Sequence, residues 1–483
     1  MKGVVDAIVI GGSIGGLVAA LYLRRAGRSV LLLEAQDTLG GACRPVPPSA
    51  GAATLFALDP RVIDEFDLLN RGLTFAVRAV PLAIPWSNGK ALLVGRDPHQ
   101  AAQAIAVYSI SDAQNYKRYR RELFALARSL RPWWWEDAPG PIAPRNAHAL
   151  LERLEVTSAA AYLNGWFESD ALKTALAFDA VVPYEPGSAL ALVWRAAQEM
   201  CGLQGAVAIP KGGPAAFADI LIALAKASGV DIRTGARVMR LILDGDVVQG
   251  VELESGAKVL SRCVLSTLSR RATLLNLAPT ASAGLAETQR LMGSAPSTGE
   301  AYITLVLDEA PDLSGMPANA RAVIAERLDC WLDADSSARQ GQLPDYELMM
   351  EVVIPTAMDP ELAPPGQHVL SVTVCGLPVA PEERWPLLSA RLAERVVSTL
   401  ERRKRNLRAH LTGIYFGLPN ESRRDSDFSV SRILSSYSAR MATPLKGLFL
   451  CGSAAEPMDA VSGRAGRLAA GMAQRWLASE VSP

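Results

Sequence analysis

Asp6-Ala-Ile-Val-Ile10, Gly11-Gly-Ser-Ile-Gly-Gly16 and Ser29-Val-Leu-Leu-Leu-Glu34 are the stretches on which the fold turns. The first is a short apolar run rich in β-branched residues, which predicts a buried parallel strand. The second turns the chain, and Leu17, Ala20 and Leu21 follow at helical spacing up to Gly27. The third predicts another strand, ending in an acid. Strand, glycine turn, helix, strand and acid in this order make a βαβ unit. Gly11 permits the tight turn, and Gly16 lets the helix pack closely on the sheet. The helix N-terminus presents free N–H groups and the positive end of its dipole to a pyrophosphate. Ser13, Ile14 and Gly15 lie in the same turn and join Gly11 and Gly16 as candidate cofactor-binding residues. Ser13 holds the middle glycine position, which sets the backbone slightly farther from the phosphates. Glu34, 23 residues after Gly11 and followed by Ala35, is placed to accept hydrogen bonds from ribose hydroxyls. The competing reading is a glycine-rich turn in an ordinary α/β protein.

Composition narrows the field. Of 483 residues, 49 are basic and 49 acidic, which argues against a general nucleic-acid binder. Hydrophobic residues at 49% and charged residues at 20% fit a folded globular chain. Six cysteines without a CxxC pair predict reduced, mostly buried thiols and exclude a redox-active disulfide of that type. Four histidines, none at ligand spacing, argue against a metalloenzyme, with carboxylate sites left open. No charge-free apolar stretch is long enough to span a membrane. A strand that starts within six residues leaves no room for a signal peptide. A cytoplasmic location is expected, with peripheral membrane association left open.

Glu34-Ala-Gln-Asp-Thr-Leu-Gly-Gly-Ala-Cys-Arg44 resembles the second FAD-contact motif of the glutathione-reductase-like flavoprotein fold. The resemblance implies FAD rather than NAD, with Gly40, Gly41 and Arg44 along the ribityl and pyrophosphate. At the far end, Lys446-Gly-Leu-Phe-Leu-Cys-Gly452 reads as strand and turn, and Gly463–Leu477 as a helix. This block resembles the C-terminal FAD motif of phytoene-desaturase-like oxidoreductases, within the flavin amine oxidase superfamily. Cys451, Gly452, Pro457, Val461, Ser462, Gly463, Gly466 and Arg467 keep its frame. Glu456 replaces the usual His, and Met458-Asp459-Ala460 replaces a glycine run. The resemblance implies that this loop, with Gly452, Val461 and Ser462, lies beside the flavin ring. It also implies that the strand holding Val238 meets the adenine, although Val238 reads equally well as core.

The middle of the chain supplies the remaining pieces. Ile209-Pro-Lys-Gly-Gly213 leads into a helix with Phe217, Ile220, Leu221 and Leu224 on one face. Strands are expected at 230–233, 236–242, 247–253 and 258–265, with a hairpin turn at Asp244-Gly245-Asp246. Region 78–203 reads as mainly helical, with a charged helix from Tyr116 to Arg131 ending at Pro132. Region 272–412 has strand-like runs at 301–307, 348–354 and 369–375, then a long helical stretch from Glu382 to about Arg408. The resemblance joins these pieces into an α/β architecture: a glutathione-reductase-like FAD-binding Rossmann domain (1–77, 204–271 and 413–483) interleaved with a sheet-plus-helix substrate domain (78–203 and 272–412). Trp133-Trp134-Trp135 is either an aromatic wall or membrane anchor, or a helix end docked into the core or against a second copy.

The resemblance implies an FAD-dependent dehydrogenase or desaturase. Such an enzyme moves a hydride from a substrate C–H to flavin N5 and forms C=C or C=N. The substrate would be a small or lipophilic molecule, with oxygen or a quinone as electron acceptor. Glu456 and Asp459 are the catalytic candidates, orienting an amine or acting as a base, unless they merely cap the loop. An amine or amino-acid oxidase and a non-catalytic FAD-binding protein are the alternatives, and a homodimer is left open.

Overall fold

The computed structural model describes residues 4–44, 51–85, 91–135, 145–180, 188–279, 282–293, 298–313, 316–325, 327–328, 330–345, 347–403, 406–418, 440–456 and 461–479. Strand Val5–Ile10 forms on the first apolar run, with Ala7, Ile8 and Val9 fully buried. It pairs in parallel with Val30–Leu33 on one side and Lys258–Ser266 on the other, so that Ile10 sits between Leu33 and Ser266. From edge to edge the sheet runs Val238–Asp244, Val247–Leu253, Lys258–Ser266, Val5–Ile10, Val30–Leu33 and Asp231–Arg233. Leu448–Leu450 adds in parallel beside the end of Lys258–Ser266. Its parallel centre is covered on both faces, which is why those strands read as unbroken apolar runs. On one face, helices Ile14–Arg25, Gly213–Ala227 and Arg464–Ser479 bring Leu17, Leu21, Phe217, Leu221 and Leu477 into one core with Val9 and Leu32. On the other, Leu274 and Leu277 pack on Ile8, Ile10 and Leu31.

A second sheet runs Leu411–Gly417, Thr298–Leu307, His368–Pro378, Met349–Val353, Arg321–Ile324, Leu82–Pro85 and Ala91–Val94. Helix Trp385–Glu401 lays Leu388, Leu392, Val396 and Leu400 against Ile303 and Val372. Helices Ile110–Trp135 and Ala189–Ala197 form a separate layer against Leu82, Ile84, Leu92 and Val94.

Several expectations need correcting. The hairpin Leu82–Pro85 and Ala91–Val94 lies where helix was expected, because four-residue strands carry too little alternation to register. Helix Ile110–Trp135 runs past Pro132. A proline near the last turn removes one N–H, and the helix end is held by Trp134, which is buried in the helical core. The helix expected to reach Arg408 stops at Glu401, and Asn406 adopts a left-handed φ of 65°. Strand Leu411–Gly417 crosses the boundary drawn at 412/413 and belongs to the second sheet. Among the described residues, no helix is long and apolar enough to cross a membrane.

Candidate flavin site

The turn after the first strand is built from close backbone approaches. Gly11 has φ +94°, and its N–H donates to the Leu33 carbonyl at 2.7 Å. A Cβ on Gly11 would lie 1.9 Å from Thr267 Oγ1, and one on Gly16 would lie 2.1 Å from the Gly11 carbonyl oxygen. One on Gly15 would lie 2.0 Å from the Cys451 carbonyl oxygen. Helix Ile14–Arg25 starts from Ser13 with no side-chain cap and no acid in its first turn. Its first N–H groups and its dipole are therefore left for an anionic ligand. The glycine pair packs against this turn: the Gly40 N–H donates to the Gly12 carbonyl at 2.8 Å. A Cβ on Gly41 would come within 2.9 Å of Ser13 Cβ, so Gly41 leaves the room that Ser13 fills. Arg44 makes a surface ion pair with Asp219 at 3.1 Å.

Glu34 is fixed by backbone. Its Oε2 accepts from the Gly12 N–H at 2.7 Å and its Oε1 from the Gln36 N–H at 2.8 Å. Each oxygen keeps a lone pair for hydroxyl donors. The Glu34 carbonyl accepts from the Ala236 N–H at 2.8 Å, which lays the segment before Val238 beside the end of the second strand. Glu34 and Ala236, two residues before Val238, thus meet from distant parts of the chain. Val238 is a core residue, and the register shift that follows leaves Met239 as an exposed extra residue.

The far end closes on the same turn. The Cys451 N–H donates to the Ser266 carbonyl at 2.8 Å, and a Cβ on Gly452 would lie 2.0 Å from the Thr267 carbonyl oxygen. A Cβ on Gly466 would lie 2.2 Å from the Gly15 carbonyl oxygen, so the first and last helices touch at glycine. Glu456 is buried, and its Oε1 accepts from Ser462 Oγ at 2.6 Å and from the Ala465 N–H at 2.9 Å. Arg464 Nη1 reaches its Oε2 at 3.5 Å. Ser462 Oγ in turn accepts from the Arg464 N–H at 3.0 Å. The capping alternative describes this carboxylate, which also complements the positive end of the helix dipole. Val461 is partly buried against the first core. Asp459 lies outside the described residues, with Pro457, Met458 and Ala460.

Sequence reading missed Thr267 and a buried clamp around Asp59. Asp59 accepts from Arg467 Nε at 2.8 Å and lies 3.9 Å from Arg464 Nε, while its N–H donates to the Ser462 carbonyl at 2.9 Å. The signal was present: two arginines three apart in a first helical turn oppose the dipole and demand carboxylates. What the sequence did not say was which ones. Trp135 completes the clamp, with Arg464 4.6 Å above its ring. Trp134 and Trp135 therefore dock a helix end, while the Trp133 side chain lies outside the description.

All six cysteines are free thiols. Burial pushes the Cys43 thiol up to about 12 and raises Cys451 further, so neither is a thiolate at neutral pH. Among the described residues no group of three or more His, Cys, Asp or Glu is arranged to hold a metal. The uncapped helix start, the glycine-lined turn and the anchored Glu34 fit a flavin dinucleotide.

The family pattern described as flavin containing amine oxidoreductase matches residues 14–456. Pyridine nucleotide-disulfide oxidoreductase domain-containing protein 2 of Rattus norvegicus is 29% identical, over 96% of this chain and 92% of its own. The lycopene-forming phytoene desaturase of a Paracoccus species is 25% identical, over 89% and 88%. A solved triple mutant of putrescine oxidase shares the fold with a TM-score of 0.65 at 17% identity, covering 98% of this chain and 99% of that one. With its phytoene-desaturase-like relatives, this chain belongs to the flavin-containing amine oxidoreductase family and is an FAD-dependent oxidoreductase.

Proposed function

We propose that this protein takes a hydride equivalent from a substrate C–H and leaves a C=C or C=N bond, with oxygen or a quinone as the final acceptor. The observation that carries this reading is the convergence of two helix N-termini at the Gly15–Gly466 contact, one uncapped and one organised by Glu456. FAD, when bound, supplies the two-electron acceptor at N5.

In this reading the N–H groups of Ser13, Ile14, Gly15 and Gly16 hold the diphosphate, and Gly11 turns the chain beneath it. Glu34, oriented by the Gly12 N–H, takes the ribose hydroxyls. Ala35 and Val238 flank the adenine. Gly40, Gly41 and Arg44 follow the ribityl chain. Gly452, Val461 and Ser462 line the ring end, and the closing helix places its dipole toward the N1/O2 edge. Glu456 is read as the cap of that helix, and Asp459 is the other acid proposed for catalysis. The FAD-binding part comprises 1–77, 204–271 and 418–483. The substrate part comprises 78–203 and 272–417, which keeps strand Leu411–Gly417 in the second sheet.

The test is to reduce the flavin anaerobically with candidate donors, then mix it with oxygen or a quinone and analyse the product. Desaturation gives a conjugated product that keeps its nitrogen. Amine oxidation gives peroxide and an imine or its hydrolysis products. A flavin that no organic donor reduces and no acceptor reoxidises would overturn the reading in favour of a binding role.

A further inference from the structure

A cavity of about 110 Å³ opens between the second sheet and the helical layer. Leu82, Val94, Leu123, Leu176, Leu192 and Val207 give it apolar walls. Among the described residues its charged lining is Arg96, Arg120, Arg195 and Arg321 against Asp179. Arg321 is already neutralised, donating at 2.7 Å to Asp179 and at 2.7 Å to Glu351. Arg120 donates to Tyr116 Oη, and Arg96 stands at the exposed rim, donating to the Gln204 carbonyl.

Arg195 differs from these. It is 5% exposed, and its Nη1 has no hydrogen-bond partner. Its guanidinium lies 4.6 Å from the Phe56 ring, on the segment that runs to Asp59. Burial pulls its pKa down to about 10, with Asp179 opposing the fall, so it stays charged at neutral pH. Asp179 is held below its ordinary value because Arg321 and Arg195 outweigh the effect of burial. Excess positive charge in an apolar cavity, with a guanidinium N–H left over, favours an anionic guest. The cavity wall includes Ala206 and Val207, and the next residue, Ala208, exchanges backbone hydrogen bonds with Leu55, beside Phe56.

We propose that this cavity binds the carboxylate of an organic acid, held by Arg195 with Arg120 and Arg96 at its mouth, the apolar tail lying on the leucine walls. Resting on the oxidation reading above, the carboxylate is the acidic end of the substrate. Such a pocket rejects a protonated amine.

Three probes of matched shape test this on the full-length, FAD-loaded protein: butyrate, butylamine and butanol, followed by calorimetry and thermal unfolding. Butyrate is expected to bind at least tenfold more tightly than either of the others. Arg195→Met is expected to weaken butyrate binding at least tenfold with FAD content unchanged. If that variant does not fold, Leu192→Phe, which fills the cavity, is expected to do the same. Butyrate binding no tighter than butanol overturns the proposal. So does butyrate binding that survives both substitutions. Butyrate bound through Arg195, in a protein whose flavin no donor reduces, keeps the anion site and removes the oxidation reading. Flavin reduction by a donor, without butyrate binding, does the reverse.

Discussion

Around the first sheet, backbone meets backbone: a methyl group on Gly15, Gly452 or Gly466 would lie 2.0–2.2 Å from a carbonyl oxygen. Beside the second sheet, charge meets charge: Arg321 bridges Asp179 and Glu351 under a layer of helices, with Arg195 close by. The first region tolerates almost no added volume. The second tolerates volume better but depends on a balance of charges brought from four separate stretches of chain. A cofactor with a fixed shape suits the first construction, and the second leaves the cavity proposed above for an organic acid.

The largest break in this contrast comes from Gly466→Val. The added carbons meet the backbone of Gly15, which cannot rotate away, and the expected cost exceeds about 3 kcal/mol. No folded yellow protein should be recovered, and a stable, FAD-loaded variant would show that the two helices can part. Asp59→Ala is expected to lower stability in denaturant unfolding by about 3–5 kcal/mol, since it strips a carboxylate from two buried guanidinium groups. Asp59→Asn should fall between it and the parent. Glu34→Ala removes the acceptor that fixes the Gly12 N–H, and FAD retention in dialysis should fall about tenfold.

Glu456→Gln sharpens the contrast at the junction of the two regions. The cap reading expects about 1–2 kcal/mol of lost stability, with the flavin reduction rate changed less than about tenfold. A general base would instead cost about 10²–10⁴ in rate. The smallest effect belongs to Glu287, paired with Arg270 at 2.6 Å and Arg290 at 2.9 Å. The hydrogen bond from Arg290, with those from Arg270, outweighs burial and holds its carboxyl down to about 2, against an ordinary 4.5. The stability it contributes is complete above its ordinary value and is lost as pH falls through about 2. Glu287→Gln should therefore flatten the acid limb of the stability–pH curve across that window.

The same contrast explains what the sequence revealed. Gly11, Gly16 and Gly466 stand where a Cβ would collide, so steric need is written locally and in order. The meander strands at 247–253 and 258–266 were legible because each carries its own alternation and turn. Asp179, Arg195, Arg321 and Glu351 meet only through the fold, and nothing local marks any of them. Glu456 was visible as an acid at an unusual position, but its duty became clear only when Ser462 and Ala465 were seen to donate to it. Asp59 could be read as a helix cap from the proline that follows it, but its arginine partners could not.

The contact between the first and last helices sets a condition on biosynthesis. Gln474 donates to the Tyr22 carbonyl across 452 positions of chain, on the same two helices as the glycine contact. Strand Val5–Ile10 and helix Ile14–Arg25 must wait for a segment made about 450 residues later before their surface is complete. Contacts of such sequence separation form slowly and leave apolar faces exposed in the meantime. A ribosome paused before residue 464 would therefore hold a nascent chain whose helix Ile14–Arg25 still lacks its partner.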